Sequence, residues 1–209
     1  GHGVLAYADY DFSKAVQLCK ETGTDEYRNR EYAECIGGAV MELIGGGFHD
    51  KRVWTEMRPR FLQSEDPLSL CSPKLIPDDE ARELCYVYIT PYLFEIVALD
   101  GVHPTKEDLA KAFLYCDAIL STEMIFRDAC YRGFGKEFVG LILGRDIRKS
   151  SVETMNDDQL SQIYDWCQLA GKQDGAAACM LHALDSLFWG GENEPEVSIR
   201  FCDIMEDVY

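Results

Sequence analysis

Positive charge is what this sequence most lacks. Its 209 residues hold 20 Lys and Arg against 37 Asp and Glu, a formal net charge of −17. A field of that sign repels phosphate backbones and anionic lipid surfaces, which argues against nucleic acid as a partner. Acidity suits a cationic partner, although a solvated acidic surface is its commoner explanation. Long apolar runs are missing too. Residues 86–98 form one of the longest, yet they are too few to cross a bilayer and are interrupted by Pro91 and Glu95. No membrane span is therefore expected. No signal peptide is visible. The abrupt start at Gly1-His2-Gly3 is what removal of a leader or a preceding segment leaves.

Several chemical signatures are absent as well. No two cysteines are spaced C-x-x-C, so a thioredoxin-like redox motif and covalent haem attachment find no support. Nor are any cysteines two to four residues apart, the spacing usual at zinc sites. No G-x-S-x-G marks a hydrolase nucleophile elbow. No metal and no cofactor is expected on these grounds, and catalysis is not the favoured reading.

Cysteine itself is abundant: nine residues, at 19, 35, 71, 85, 116, 130, 167, 179 and 202. In order they fall into close pairs, Cys19/Cys35, Cys71/Cys85, Cys116/Cys130 and Cys167/Cys179, with longer gaps between pairs. Cys202 is left without a mate. Short amphipathic segments precede the first cysteine of each pair: "DFSKAVQLC", "EDPLSLC", "DLAKAFLYC" and "DQLSQIYDWC". Most open with Asp or with an acidic residue beside Pro, both helix-start signals. Longer apolar segments follow the second cysteine: "CIGGAVMELIGG", "CYVYITPYLFEIV", "CYRGFGKEFVGLILG" and "CMLHALDSLFWGG". Between the two lie breakers or polar patches: Gly23, Pro73 with Pro77, Ser121-Thr122, and Gly171 with Gly175.

That layout predicts two antiparallel helices joined by a turn, with one cysteine on each. Their Cα atoms then come within the ~4.4–6.8 Å that a disulfide needs. Closing a loop of about 15 residues stabilises by about 3 kcal/mol in the chain-entropy model. The competing reading is nine buried free thiols in a cytosolic protein, which gives no reason for this order.

First cysteines recur at 19, 71, 116, 167 and 202, an irregular period in the range of helical solenoids. The expected fold is all-α: an α/α solenoid of disulfide-stapled antiparallel helical hairpins. One helical-repeat domain is expected over residues 1–209, with about four hairpins. Residues 1–7 read as the tail of a second helix whose first helix is missing. "PEVSIRFCDIMEDVY" reads as a first helix without its second, which leaves Cys202 unpaired. A fragment of a longer repeat protein is the natural expectation. The alternative is a partner chain or another copy that supplies the missing half.

Residues 3–19 and 101–116 share a pattern of Gly-Val, a spacer, Asp, Lys-Ala and a hydrophobic-Cys ending. This pattern resembles the Sel-like repeats, relatives of tetratricopeptide repeats found in secreted cysteine-rich bacterial proteins. The units here are longer and less even, and their cysteines lie further apart. The resemblance implies an α/α solenoid with a disulfide tying each helix pair. It also implies protein–protein recognition in an extracellular or periplasmic setting. A penicillin-binding or hydrolytic activity is the minority property of that family, and no residue here matches it.

Candidate chemistry is sparse. Of His2, His49, His103 and His182, the leading ligand or active-site candidates are His2 and His182, if neighbouring units stack them with carboxylates. No unit repeats such a pair. Gly133, Gly135 and Lys136 in "CYRGFGKEF" lack the further glycines and the strand of a phosphate loop. They and Gly37-Gly38 are expected instead to let the second helix approach a neighbour closely. Asp78 and Asn156 open runs that read as helix caps rather than calcium loops. Residues 48–65 lengthen one connection and carry a basic island of Lys51, Arg52, Arg58 and Arg60. There "DKRVWTEM" is expected to form an extra helical turn before Pro59, with Trp54 tucked onto the core. Tyr86, Tyr88, Tyr92, Phe94, Phe134, Phe138, Phe188 and Trp189 are expected mostly in the core between repeats.

Three functional classes follow. The first is a secreted, cell-surface or periplasmic scaffold that takes a protein or peptide ligand on its concave face. The second is an enzyme, or a metal- or haem-binding protein, with a site built between repeats. The third is a structural surface protein that assembles through Cys202 or its incomplete ends.

Overall fold

A computed structural model describes residues 1–22, 28–98, 104–144, 151–190 and 195–206. Gly23, expected as a breaker, lies outside the described residues, as do Gly101 and His103 of the repeat pattern. Every regular element among the described residues is a helix. The chain divides into two compact units, Gly1–Ile96 and Val97–Tyr209.

The first unit holds α1 (His2–Tyr7), α2 (Phe12–Cys19), α3 (Arg28–Gly45), α4 (Lys51–Phe61), α5 (Asp79–Tyr88) and α6 (Thr90–Ile96). Its hub is α3, against which α1, α2 and α5 pack. Ile36, Ala39, Val40 and Leu43 of α3 are fully buried, the spacing of a single helical stripe. Glycines let the neighbours approach. A Cβ on Gly38 would meet Gly1 Cα at 2.8 Å, and one on Gly37 would meet the Tyr88 ring at 2.8 Å. Asp11, Asp50 and Asp78 cap α2, α4 and α5 by accepting the amides of Lys14, Val53 and Ala81.

Two local expectations need correction here. Cys71 stands on a single turn of 3-10 helix, Ser69–Cys71, and not on an α-helix. Pro67 and Pro73 bracket that turn too closely for a helix to propagate. Arg82 of α5 holds it, donating from Nε to the Cys71 carbonyl at 3.1 Å. The extra helix, α4, does not stop before Pro59 but runs through it to Phe61. Pro59 falls in the last turn, where the lost amide frees the carbonyl of one residue only.

The chemistry of α4 explains the basic island. None of its residues is fully buried. Polar contacts bind it to the end of α3, whose last carbonyls lack helical partners. Trp54 Nε1 donates to the carbonyls of Leu43 (2.9 Å) and Glu42 (3.2 Å), and Arg58 Nε donates to Ile44 (3.2 Å). Lys51 Nζ sits 3.6 Å from the Trp54 ring centre. Both terminal nitrogens of Arg58 reach Glu95 of α6, at 3.1 and 2.5 Å. Arg52 and Arg60 both pair with Glu56. Lys51 and Arg58 thus fasten the connection, and Trp54 seats on the end of α3.

The second unit holds α7 (Lys106–Asp117), α8 (Met124–Ile142), α9 (Asp157–Cys167), α10 (Gln173–Gly190) and α11 (Glu196–Glu206). Its most extensive packing joins α8 to α10. Phe113, Phe134 and Phe138 are buried together, with the Phe113 and Phe134 rings stacked 4.1 Å apart and Trp166 edge-on to Phe138 at 5.3 Å. Leu160, Ile163 and Cys167 of α9 are fully buried, as are Ala183 and Leu187 of α10 and Phe201 of α11. Thr105 caps α7, and Asn156 caps α9 in a reciprocal pair with Gln159. Asp78 and Asn156 are therefore caps, as their sequence context implies. Of the aromatics expected inside, Tyr86, Tyr92, Phe94, Phe134 and Phe138 are buried; Trp189 is 70% exposed.

Disulfides join Cys19–Cys35, Cys71–Cys85, Cys116–Cys130 and Cys167–Cys179, the pairs that the spacing draws together, with Cα atoms 5.5–5.7 Å apart. The first cysteine ends a helix or turn. The second lies roughly two turns into the next helix. Cys202, on α11, is a free, half-buried thiol.

A very close helix contact lies at Gly135, where an added Cβ would fall 1.9 Å from the Cys179 carbonyl oxygen and 2.7 Å from Ala183 N. Both obstacles are backbone and cannot rotate away. Replacing Gly135 by Ala should destabilise the second unit by about 1–3 kcal/mol, within the range of overpacked cores. Gly140→Ala, where a Cβ meets nothing within 4 Å, should gain a few tenths of a kcal/mol from helix propensity. Urea unfolding of the two variants checks the contrast.

Candidate functional site

His2 lies in the first unit and His182 in the second, and each meets a carboxylate of its own unit. His2 Nδ1 is 3.2 Å from Glu42 Oε2, with the His2 side chain 54% exposed and that of Glu42 5% exposed. Glu42 sits in the last turns of α3, where a buried carboxylate demands donors. Gly47 N donates to Oε1 at 3.0 Å, and the Tyr10 hydroxyl donates to the same oxygen at 3.3 Å. That hydroxyl also accepts the Asp50 amide at 3.5 Å. Burial raises the Tyr10 phenol above its usual range, and the Glu42 charge adds to the effect.

Tyr10 and Asp9 carry positive φ, 59° and 55°. Non-glycine residues adopt that region at a cost which surrounding contacts must offset. Here the buried Tyr10 ring and its hydroxyl bonds supply them. The cluster joins α1, the turn after it, the end of α3 and the start of α4. It is a polar pin within the fold. No sequence motif announces it, because residues 2, 10, 42 and 47 meet only through tertiary structure.

His182 occupies α10, 3.5 Å from Asp185 Oδ2. Burial lowers its pKa below the usual histidine range, and Arg132 and Lys136 of α8 act in the same direction. The Asp185 charge opposes them without prevailing. Arg132 pairs with Asp128 at 3.0 Å and Lys136 with Glu137 at 2.6 Å. Both cations are themselves engaged with carboxylates, and with burial they disfavour the protonated imidazole. No group of three or more His, Cys, Asp and Glu side chains among the described residues is placed to hold a metal ion.

The more open feature is acidic. A cavity of about 590 Å³ in the first unit is lined by Gly1, Val4, Thr22, Arg30, Glu31, Glu34 and Cys35. A second, of about 230 Å³, shares Arg30 and Glu34 with it and adds Ala33, Glu80, Glu83 and Leu84. Four glutamates from α3 and α5 therefore border two cavities that share a wall. The field there is felt by Tyr88, whose phenol is raised by burial and then by the Glu34 charge. In the sequence these glutamates carry no signal one by one; the overall negative charge is their only trace.

No helix among the described residues is long and apolar enough to cross a membrane. Comparison with protein-family models, curated proteins and solved structures finds no match for this chain.

The His182 environment predicts a pH dependence. A histidine whose folded pKa is lowered takes up its proton more readily when unfolded, so unfolding binds protons in that window. Its contribution to stability is complete above the unfolded value of about 6.5 and is lost as pH falls toward the lowered folded value. His182→Gln should flatten the pH dependence of stability below about pH 6.5. Thermal unfolding of the unaltered chain and the variant across that range measures the difference.

Proposed function

We propose that this chain is a helical-repeat scaffold of an extracellular or periplasmic compartment that binds a basic segment of another protein and performs no catalysis. The observation that carries the reading is the pair of adjoining acidic cavities on α3 and α5. The two cavities set Glu31, Glu34, Glu80 and Glu83 against one cation, Arg30, and on a chain of net charge −17 that lining attracts Lys- and Arg-rich segments and repels acidic ones. Four disulfides support an oxidising compartment, since cytosolic thiols are kept reduced. The Sel-like pattern around Cys19 and Cys116 supports an α/α solenoid of stapled hairpins, an architecture that presents extended surfaces for protein recognition.

The binding test uses fluorescence anisotropy with synthetic peptides on the oxidised protein. Lys/Arg-rich peptides with interspersed apolar residues should bind, and peptides of the same length with Glu in place of the cations should not. The double change Glu34→Gln with Glu83→Gln should weaken binding by at least about tenfold, or ~1.4 kcal/mol. Equal affinity for both peptide classes would contradict the reading. The architectural part is tested by small-angle scattering. A compact chain of this length has a radius of gyration of about 17 Å, and a solenoid should exceed it clearly.

A further inference from the structure

A different cavity, in the second unit, is built for another kind of ligand. It encloses about 250 Å³ and is lined by Met124, Arg127, Asp128 and Tyr131 of α8 with Asp174 of α10. That is below the roughly 300–1,000 Å³ of sites for drug-sized molecules, so its occupant is small.

Two polar groups at this cavity, Asp128 and Tyr131, are already engaged. Asp128 Oδ2 lies 3.0 Å from Arg132 Nε. The Tyr131 hydroxyl donates to Asp117, whose carboxylate also has Lys172 Nζ at 3.6 Å. The Tyr131 ring is held flat against the backbone of α10, because a Cβ on Gly175 would meet it at 2.8 Å.

Arg127 and Asp174 differ from these. The guanidinium is half-buried on α8, and the carboxylate stands exposed in the first turn of α10. Both act electrostatically on the Tyr131 phenol, in opposite directions. Yet no ion pair joins them to each other or to any other described residue. Opposite charges that line one cavity without meeting leave room for a molecule that carries both. Arg offers a planar fork suited to a carboxylate. Asp174 offers an acceptor for an ammonium group. Met124 supplies a polarizable apolar wall that adapts to side chains of varied shape.

We propose that this cavity binds a small zwitterion, a free α-amino acid with an apolar side chain. Its carboxylate meets Arg127, its ammonium meets Asp174, and its side chain lies along Met124 and Tyr131. The site is separate from the acidic groove of the first unit, and neither proposal depends on the other.

Isothermal titration calorimetry of the intact oxidised chain tests this with L-leucine, L-methionine and L-phenylalanine. Each is compared with its N-acetyl form, which lacks the ammonium, and its amide, which lacks the carboxylate. At least one free amino acid should bind at concentrations up to about 10 mM, and both blocked forms should bind at least about tenfold more weakly. In Arg127→Gln the preference for the free acid over the amide should disappear. In Asp174→Asn the preference over the N-acetyl form should disappear. Circular dichroism establishes that both variants are folded, and the blocked ligands probe the same two contacts on the unaltered chain. Absence of binding by all three amino acids would overturn the proposal. So would equal binding of the blocked forms, or affinities that neither substitution changes.

Discussion

The constraint on which the described structure depends is the covalent tie between the end of one helix or turn and the second turn of the next. Each of the four disulfides closes a loop of 12–16 residues. Loops of that size limit the unfolded chain by about 3 kcal/mol apiece in the entropy model. The tie also fixes geometry: an antiparallel hairpin has one register in which both Cβ atoms meet. Each bridge thereby places the buried stripe of its second helix. At Cys19–Cys35 this sets Ile36, Ala39, Val40 and Leu43 against their neighbours. At Cys116–Cys130 it sets Phe134 and Phe138 against Phe113.

Once the second helices are placed, glycine decides how closely they pack. Gly135 admits the backbone of α10, and Gly38 admits Gly1. Helices in such contact gain dispersion energy along their whole length. What remains unsatisfied is the end of α3, and α4 supplies its missing donors from Trp54 and Arg58. Several of the chain's 20 cations are used for structure. Arg58 and Arg82 serve backbone carbonyls, while Arg132 and Lys136 act electrostatically on His182. The formal net charge of the chain remains −17.

Much of the helical architecture was legible because cysteines, caps and breakers report local structure. Asp11, Asp78 and Asn156 carry their cap chemistry in the residues immediately following. The paired cysteines are near neighbours in sequence, so their meeting needs only a hairpin. Two local features misled. "EDPLSLC" has the look of a helix start, yet the prolines leave room for one turn only. Pro59 has the look of a stop, yet a proline in a final turn removes little. The candidate sites were hidden for a different reason. Glu42 with Tyr10, Glu34 with Glu83, and Arg127 with Asp174 are brought together by packing between helices, and no residue among them carries a motif. His2 and His182 stood out only because histidine is rare here, and each is occupied by a carboxylate of its own unit.

Disulfide mapping tests the central claim most directly. The native protein is alkylated without reductant, digested, and its linked peptides identified by mass spectrometry. Four linkages are expected, Cys19–Cys35, Cys71–Cys85, Cys116–Cys130 and Cys167–Cys179, with Cys202 alone carrying the alkyl label. Label on Cys116 and Cys130 in the native chain, or a linkage that crosses from one pair to another, would contradict the account.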